Sequence, residues 1–185
     1  MRNMFIKEIG VSNNIRISGI TNIDQYPIYS FEKYCKECIS NKVLSISDEK
    51  IGIDTINEIK ISISVDKFEI FKNIFGSKLL LRGIKNIKIL YTASNKQKSL
   101  HSNSWVIPFC EFVILQDLNY QVARNAIKDI FIGVEKVHVK TFKEREIDLA
   151  IIFIICPEFR CNYKEFNKNR NYTNIYRRNN IYYNR

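Results

Sequence analysis

Five cysteines and two histidines are the side chains best suited to chemistry beyond packing. Cys35 and Cys38 form a Cys-x-x-Cys pair in Cys35-Lys36-Glu37-Cys38, and Cys156 and Cys161 could supply a second pair. Four such ligands would make a zinc site, provided the fold carries the start of the domain to its end. A disulfide or an intermolecular cross-link is a second use of the same residues. The odd count, in a chain with no visible secretion signal, makes reduced thiols the default, some of them filling the core. No metal site and no cofactor is therefore expected.

The histidines point less far. His101 sits in the polar run Ser99-Leu100-His101-Ser102, and His138 lies between Val137 and Val139 on strand-like sequence. A histidine near serines is not a triad without a carboxylate to orient it. Both read as surface polar residues. The 6 glycines are isolated and none precedes Lys-Ser or Lys-Thr, so no phosphate-cradling loop is present. Glu144 and Glu146 flank a basic turn and read as solvated carboxylates, not an acid–base pair. Catalysis is not expected.

The elements that would position these residues are strands. The 185 residues suit one domain, or one domain with a tail. The 32 isoleucines and 20 asparagines are far above ordinary usage, and β-branched Ile favours packed strands. Ile15, Ile17 and Ile20 follow the turn-forming Asn13-Asn14. Val43–Ile46, Ile51–Ile56 and Ile59–Val65 alternate apolar and polar residues with period two. Lys78–Tyr91 is a long β segment in which Gly83 marks a bulge or bend. Trp105–Leu115 is apolar on both faces, with Pro108 interrupting, and Ala93–Ser104 before it reads as a polar loop. Ile130–Val139 slips phase at Glu135-Lys136, which predicts a bulge, and Ile147–Cys156 is the last strand. Phe31, Tyr34, Cys35 and Cys38 follow helical spacing over a short run, and Gln121–Lys128 suits a short helical turn. The fold class is mainly β: an antiparallel sandwich or barrel-like domain with one or two short helices and a disordered C-terminal tail.

Charge divides the chain at about residue 159. The net charge is +10, and residues 160–185 hold seven of the basic residues against one acid, Glu165. The same stretch holds five tyrosines and eight asparagines, with two Ile and no Val or Leu. It cannot bury enough apolar area to offset its ordering entropy. Residues 1–159 thus read as the β domain and 160–185 as a basic Tyr/Asn-rich tail. Tyr163, Arg170, Tyr172, Tyr176, Arg177, Arg178, Tyr182 and Tyr183 are the candidate partner-binding residues of that tail. Arginines on phosphates with tyrosines stacked on bases would bind nucleic acid. The same side chains on acidic or aromatic neighbours would serve assembly. The longest apolar run, Leu149–Cys156, is eight residues, too short for a membrane-spanning helix, which takes about 20. Synthesis in the cytoplasm without a signal peptide is the expectation.

Four pieces in this order resemble the SPOCS domain of clostridial spore coat and envelope proteins, the domain of SipL-type proteins. They are Pro27 through Phe31-Glu32; Leu79-Leu80-Leu81-Arg82-Gly83 with Ile87-Lys88-Ile89-Leu90-Tyr91; Pro108-Phe109-Cys110-Glu111-Phe112-Val113; and the hairpin Val134–Thr141, Phe142–Glu144, Arg145–Cys156. Together they span roughly 27–156. The resemblance implies a structural, non-enzymatic protein-interaction component of the endospore envelope, in coat or exosporium assembly. Its partners would be other spore coat or envelope proteins, or its own copies, and it would be made in the mother cell and placed in spore surface layers. SipL-type proteins also carry a LysM module, and none follows here, so the chain looks like a single-domain member. Exposed sheet edges, around Ile59–Val65 and at the final hairpin, are the expected contact points. A nucleic-acid-binding module using the tail is the alternative.

Overall fold

Alternation of apolar and polar residues at period two builds two sheets that face each other through their apolar sides. The computed structural model describes residues 15–27, 34–74, 76–115 and 118–160. In chain order the elements are β1 (Arg16–Ser18), a 3-10 turn (Ile23–Gln25), β2 (Lys36–Ser45), β3 (Ile53–Asn73) and β4 (Gly76–Ala93). β5 (Leu100–Leu115), α1 (Tyr120–Ala126), β6 (Ile127–Phe142) and β7 (Glu146–Phe159) follow. Sheet A has the order β1-β3-β4-β5 and sheet B the order β2-β7-β6. This is the expected mainly β, sandwich-like fold. Every neighbouring pair is antiparallel except β1 on β3, a short parallel contact of Arg16–Ser18 with Glu58–Lys60.

The core lies between the sheets. Leu79, Leu81, Ile87, Ile89 and Tyr91 of β4 face Ile147, Leu149, Ile151, Phe153 and Ile155 of β7, and all are essentially fully buried. At alternate positions side chains point outward, as a pleated strand requires. The Tyr91 hydroxyl donates to the Ile51 carbonyl at 3.1 Å, which satisfies the one polar atom this ring brings inside.

Register slips bend β3 and β6, and a glycine turn follows β1. β3 slips register between Val65 and Lys67, opposite Gly83 and Arg82. The extra residue is therefore Asp66 on β3, and Gly83 is the partner that makes room. A Cβ on Gly83 would run into the Ser64 carbonyl oxygen and the Phe109 ring. The expected slip on β6 falls between Val134 and Lys136. Gly19, at φ +95°, turns the chain off the edge of β3 where a side chain would meet the Ile61 carbonyl.

Two expectations need correction. Leu100–Ser104 is not loop but the start of β5, and the strand runs on through Pro108. Proline fits because β5 is the edge of sheet A, where one side of its backbone has no ladder to join. The helical spacing of Phe31, Tyr34, Cys35 and Cys38 does not run on past Tyr34, which is 3-10 in form: from Lys36 the chain is strand, and residues 31–33 lie outside the described residues. Pairing with β7 decides this stretch against its local periodicity.

Candidate interaction surface

Pleating leaves the outer face of each sheet exposed. On sheet A the register sets Phe71, Lys78 and Ile114 in one row, Glu69, Leu80 and Phe112 in the next, then Lys67, Arg82 and Cys110, then Ser64, Ile84 and Pro108. Val106, Phe112 and Ile114 are 65%, 43% and 45% exposed, and none of the described elements covers them. Six basic side chains (Arg16, Lys60, Lys67, Lys78, Arg82, Lys88) share this face with two acidic ones, Glu58 and Glu69. The Phe112 ring lies between two ammonium groups, with Lys36 Nζ 4.6 Å and Lys78 Nζ 4.8 Å from its centre. Sheet B has a smaller apolar patch, where exposed Ile39 and Val43 of β2 flank half-buried Ile152 and Ile154 of β7. Contiguous exposed apolar residues rimmed by charge mark contact surfaces more often than scattered ones do.

The edges match expectation on one sheet and differ on the other. β3 is paired along its length with β4, while β1 covers only Glu58–Lys60 on its other side, so Ile61–Val65 lies at a sheet edge as expected. In the final hairpin β7 is flanked by both β2 and β6, so only β6 lies at an edge. Part of that edge is covered too: Thr21 N–H donates to the Val134 carbonyl at 2.8 Å, and Val134 N–H to Thr21 Oγ1 at 2.9 Å. β2 and β5 are also sheet edges, and they lie beside each other. Lys36 Nζ donates to Glu111 Oε2 at 2.8 Å, and Trp105 Nε1 donates to the Ser45 carbonyl at 3.1 Å. No backbone hydrogen bond joins β2 to β5 among the described residues. Side chains alone close this side of the sandwich.

Behind that seam sits a buried amine. Lys85 shares the inward phase of β4 with Leu81, Gly83 and Ile87, and is 3% exposed. Its Nζ lies 4.7 Å from the Phe153 ring centre and 5.3 Å from that of Phe109. Burial pushes its pKa below the usual lysine value, while the Glu111 carboxylate opposes that shift. Nearby Cys38 is a buried free thiol whose pKa burial raises, so it is a packed and unreactive group. The sequence held a signal for Lys85: a lysine in the inward phase between Leu81 and Ile89.

The cysteine expectation is corrected. Cys35 and Cys156 are joined by a disulfide, their Cα atoms 4.3 Å apart across β2 and β7 and 121 residues apart in sequence. The default of reduced thiols holds for Cys38 and exposed Cys110. Cys161 lies outside the described residues. No group of three or more His, Cys, Asp or Glu able to hold a metal occurs among the described residues.

His101 lies on β5, its ring stacked on Tyr91 at 5.9 Å and its Nε2 2.8 Å from Ser99 Oγ. It is half-buried at the sheet margin instead of in a surface loop. Glu144 accepts a hydrogen bond from Ser94 Oγ at 3.2 Å, and Glu146 lies 3.8 Å from Lys143. These are turn contacts. Tyr163, Arg170, Tyr172, Tyr176, Arg177, Arg178, Tyr182 and Tyr183 all fall outside the described residues. No helix among the described residues is long and apolar enough to cross a membrane.

Among curated proteins and among solved structures, nothing matches the chain. The family model described as "SipL, SPOCS domain" matches residues 52–141. That range takes in β3, β4, β5, α1 and nearly all of β6. It falls inside the 27–156 span of the sequence resemblance and leaves out the Pro27–Glu32 segment and β7. Residues 52–141 are thus similar to the SipL, SPOCS domain family, which supports the resemblance read from the sequence.

Proposed function

We propose that the protein is a non-enzymatic structural and interaction component of the bacterial endospore envelope, in coat or exosporium assembly. The observation that carries this reading is the uncovered outer face of sheet A. There Phe112, Ile114 and Val106 stand exposed among lysines on a strand that also ends its sheet. The family match supports the sporulation setting. An apolar patch beside an open strand edge offers two modes of contact at once, side-chain packing on the face and backbone pairing at the edge. The apolar patch on sheet B would let one copy contact neighbours on both sides, including other copies. On this reading residues 1–159 form the interaction domain. The segment 160–185 adds an arm whose Tyr163, Arg170, Tyr172, Tyr176, Arg177, Arg178, Tyr182 and Tyr183 contact acidic or aromatic partners.

The test is a fluorescent fusion followed through sporulation. A ring at the forespore surface is the expected result, weakened by Phe112→Asp and kept when residues 160–185 are removed. Diffuse or nucleoid signal overturns the reading and favours nucleic-acid binding by the arm.

A further inference from the structure

One end of the outer face of sheet A is concave. A shallow groove of about 380 Å³ is lined by Lys60, Ser62, Asn86, Lys88, Ser104 and Val106, with Trp105 at its side. The register explains its chemistry. Lys60, Lys88 and Ser104 lie directly opposite one another across β3, β4 and β5, and Ser62, Asn86 and Val106 form the next row. Two lysines placed opposite each other in an antiparallel pair repel. Glu58, 3.6 Å from Lys60, offsets one of them. The side chains of Lys88, Ser62, Asn86 and Ser104 make no hydrogen bond or ion pair with any described residue. One concave surface thus gathers two amines, two hydroxyls and an amide, most of them with unused hydrogen-bonding capacity. An anion bridging the two ammonium groups would relieve the repulsion and form charge-assisted hydrogen bonds.

We propose that this groove is a carboxylate-binding site for an extended acidic segment of a partner protein. The proposal rests on the assembly reading and names the chemistry of the partner. A carboxylate sits between Lys60 and Lys88, and the neighbouring side chain of the segment packs on Val106. Polypeptide fits better than nucleic acid for two reasons. The lining contains lysines but no arginine, the side chain shaped for two-point phosphate contact. The one aromatic ring is turned to the seam, where its indole N–H is held by the Ser45 carbonyl, so it offers no stacking platform.

Isothermal titration calorimetry reads binding to this groove directly. The full-length protein is titrated with a hexaglutamate peptide at low salt. A saturable heat of binding is expected, with binding about tenfold weaker in Lys88→Gln, the loss of one charge-assisted hydrogen bond. Lys96→Gln removes the same charge from an exposed loop position and is expected to bind as the parent does. Unchanged melting of Lys88→Gln shows that its fold is intact. The absence of saturable hexaglutamate binding overturns the site. Equal affinity in Lys88→Gln and Lys96→Gln overturns it as well, because the peptide then sits elsewhere. A stronger response to inorganic phosphate or to phosphatidylglycerol vesicles than to hexaglutamate overturns the carboxylate assignment. Imaging separates the two levels: a normal forespore ring without hexaglutamate binding removes the groove alone, whereas diffuse parent signal removes the assembly reading whatever the titration gives.

Discussion

The Lys85 ammonium lies 4.7 Å from the centre of the Phe153 ring, a cation held inside the sandwich against an aromatic face on the opposite sheet. Ring contact recovers part of the hydration this amine gives up, but not all of it. The pKa is accordingly lowered by burial, with Glu111 and Cys38 acting to raise it and Lys42 to lower it further.

Stability should therefore depend on pH through Lys85. Between its lowered folded pKa and the unfolded value near 10.4, the unfolded chain binds more protons than the folded one, so stability rises with pH in that window. Below the folded pKa the cost of the buried charge is present in full. Lys85→Met should be more stable than the parent at pH 7, by about 1–2 kcal/mol, as for other buried charges replaced by apolar groups. The gain should shrink toward pH 10. Urea denaturation at pH 7 and pH 10 measures both, and a gain that grows with pH would falsify the assignment.

The Cys35–Cys156 bond closes a long loop and so restricts the unfolded chain. Cys156→Ala should lower the stability by about 2–4 kcal/mol. Reductant should lower the parent by a similar amount and leave Cys156→Ala where it is. A reductant effect of equal size in both proteins would show that this pair is not the stabilising bond.

Gly83 should not tolerate alanine. Its added carbon would strike the Ser64 carbonyl, which is backbone and cannot swing aside, and the Phe109 ring beside Lys85. A loss of about 2–3 kcal/mol is expected for Gly83→Ala, as in other overpacked sites. Gly133→Ala is the comparison. Its new carbon would lie 3.1 Å from the Phe131 ring edge and 3.2 Å from Tyr26, side chains that can yield. Thermal melts of the two variants should differ by several degrees, and equal melting temperatures would refute the bulge account.

Phe112→Asp should separate binding from folding. The ring is nearly half exposed, and its links within the chain are the two ammonium contacts, so the stability cost should stay near 1 kcal/mol. Association, read by sedimentation or by forespore localisation, should fall much further. Full association in a stably folded Phe112→Asp would move the contact surface off sheet A.

Strand identity was legible wherever one face is buried, because alternation then marks the chain. Ile59–Val65, Lys78–Tyr91 and the slip at Glu135-Lys136 all appear as read. Leu100–Ser104 was missed because its inward side chains, His101 and Asn103, are polar and half-buried at the sheet margin, so no apolar period remains. Lys36–Ile39 was ambiguous for the opposite reason, since a short run satisfies a helical spacing by chance and only the pairing with β7 decides it. The edge assignment held on β3 beyond Lys60 but failed for β7, because strand order is non-local: nothing in Val134–Cys156 records that β2 will pair on the far side of β7. The groove was invisible for the same reason, as Lys60, Lys88 and Ser104 meet only through register. The tail residues were legible as composition alone.

The position of the disulfide has a mechanical consequence. Cys156 lies four residues before Arg160, the last residue described before the C-terminal segment, and its partner Cys35 immediately precedes β2. Tension applied through that segment would enter the sandwich at a covalent bond, where it cannot peel β7 away strand by strand. The 121 residues of separation, about 400 Å of extended chain, would be withheld from stretching. Under load the protein would behave as a short link of nearly fixed length, yielding only outside Cys35 and Cys156, until a reductant releases the loop.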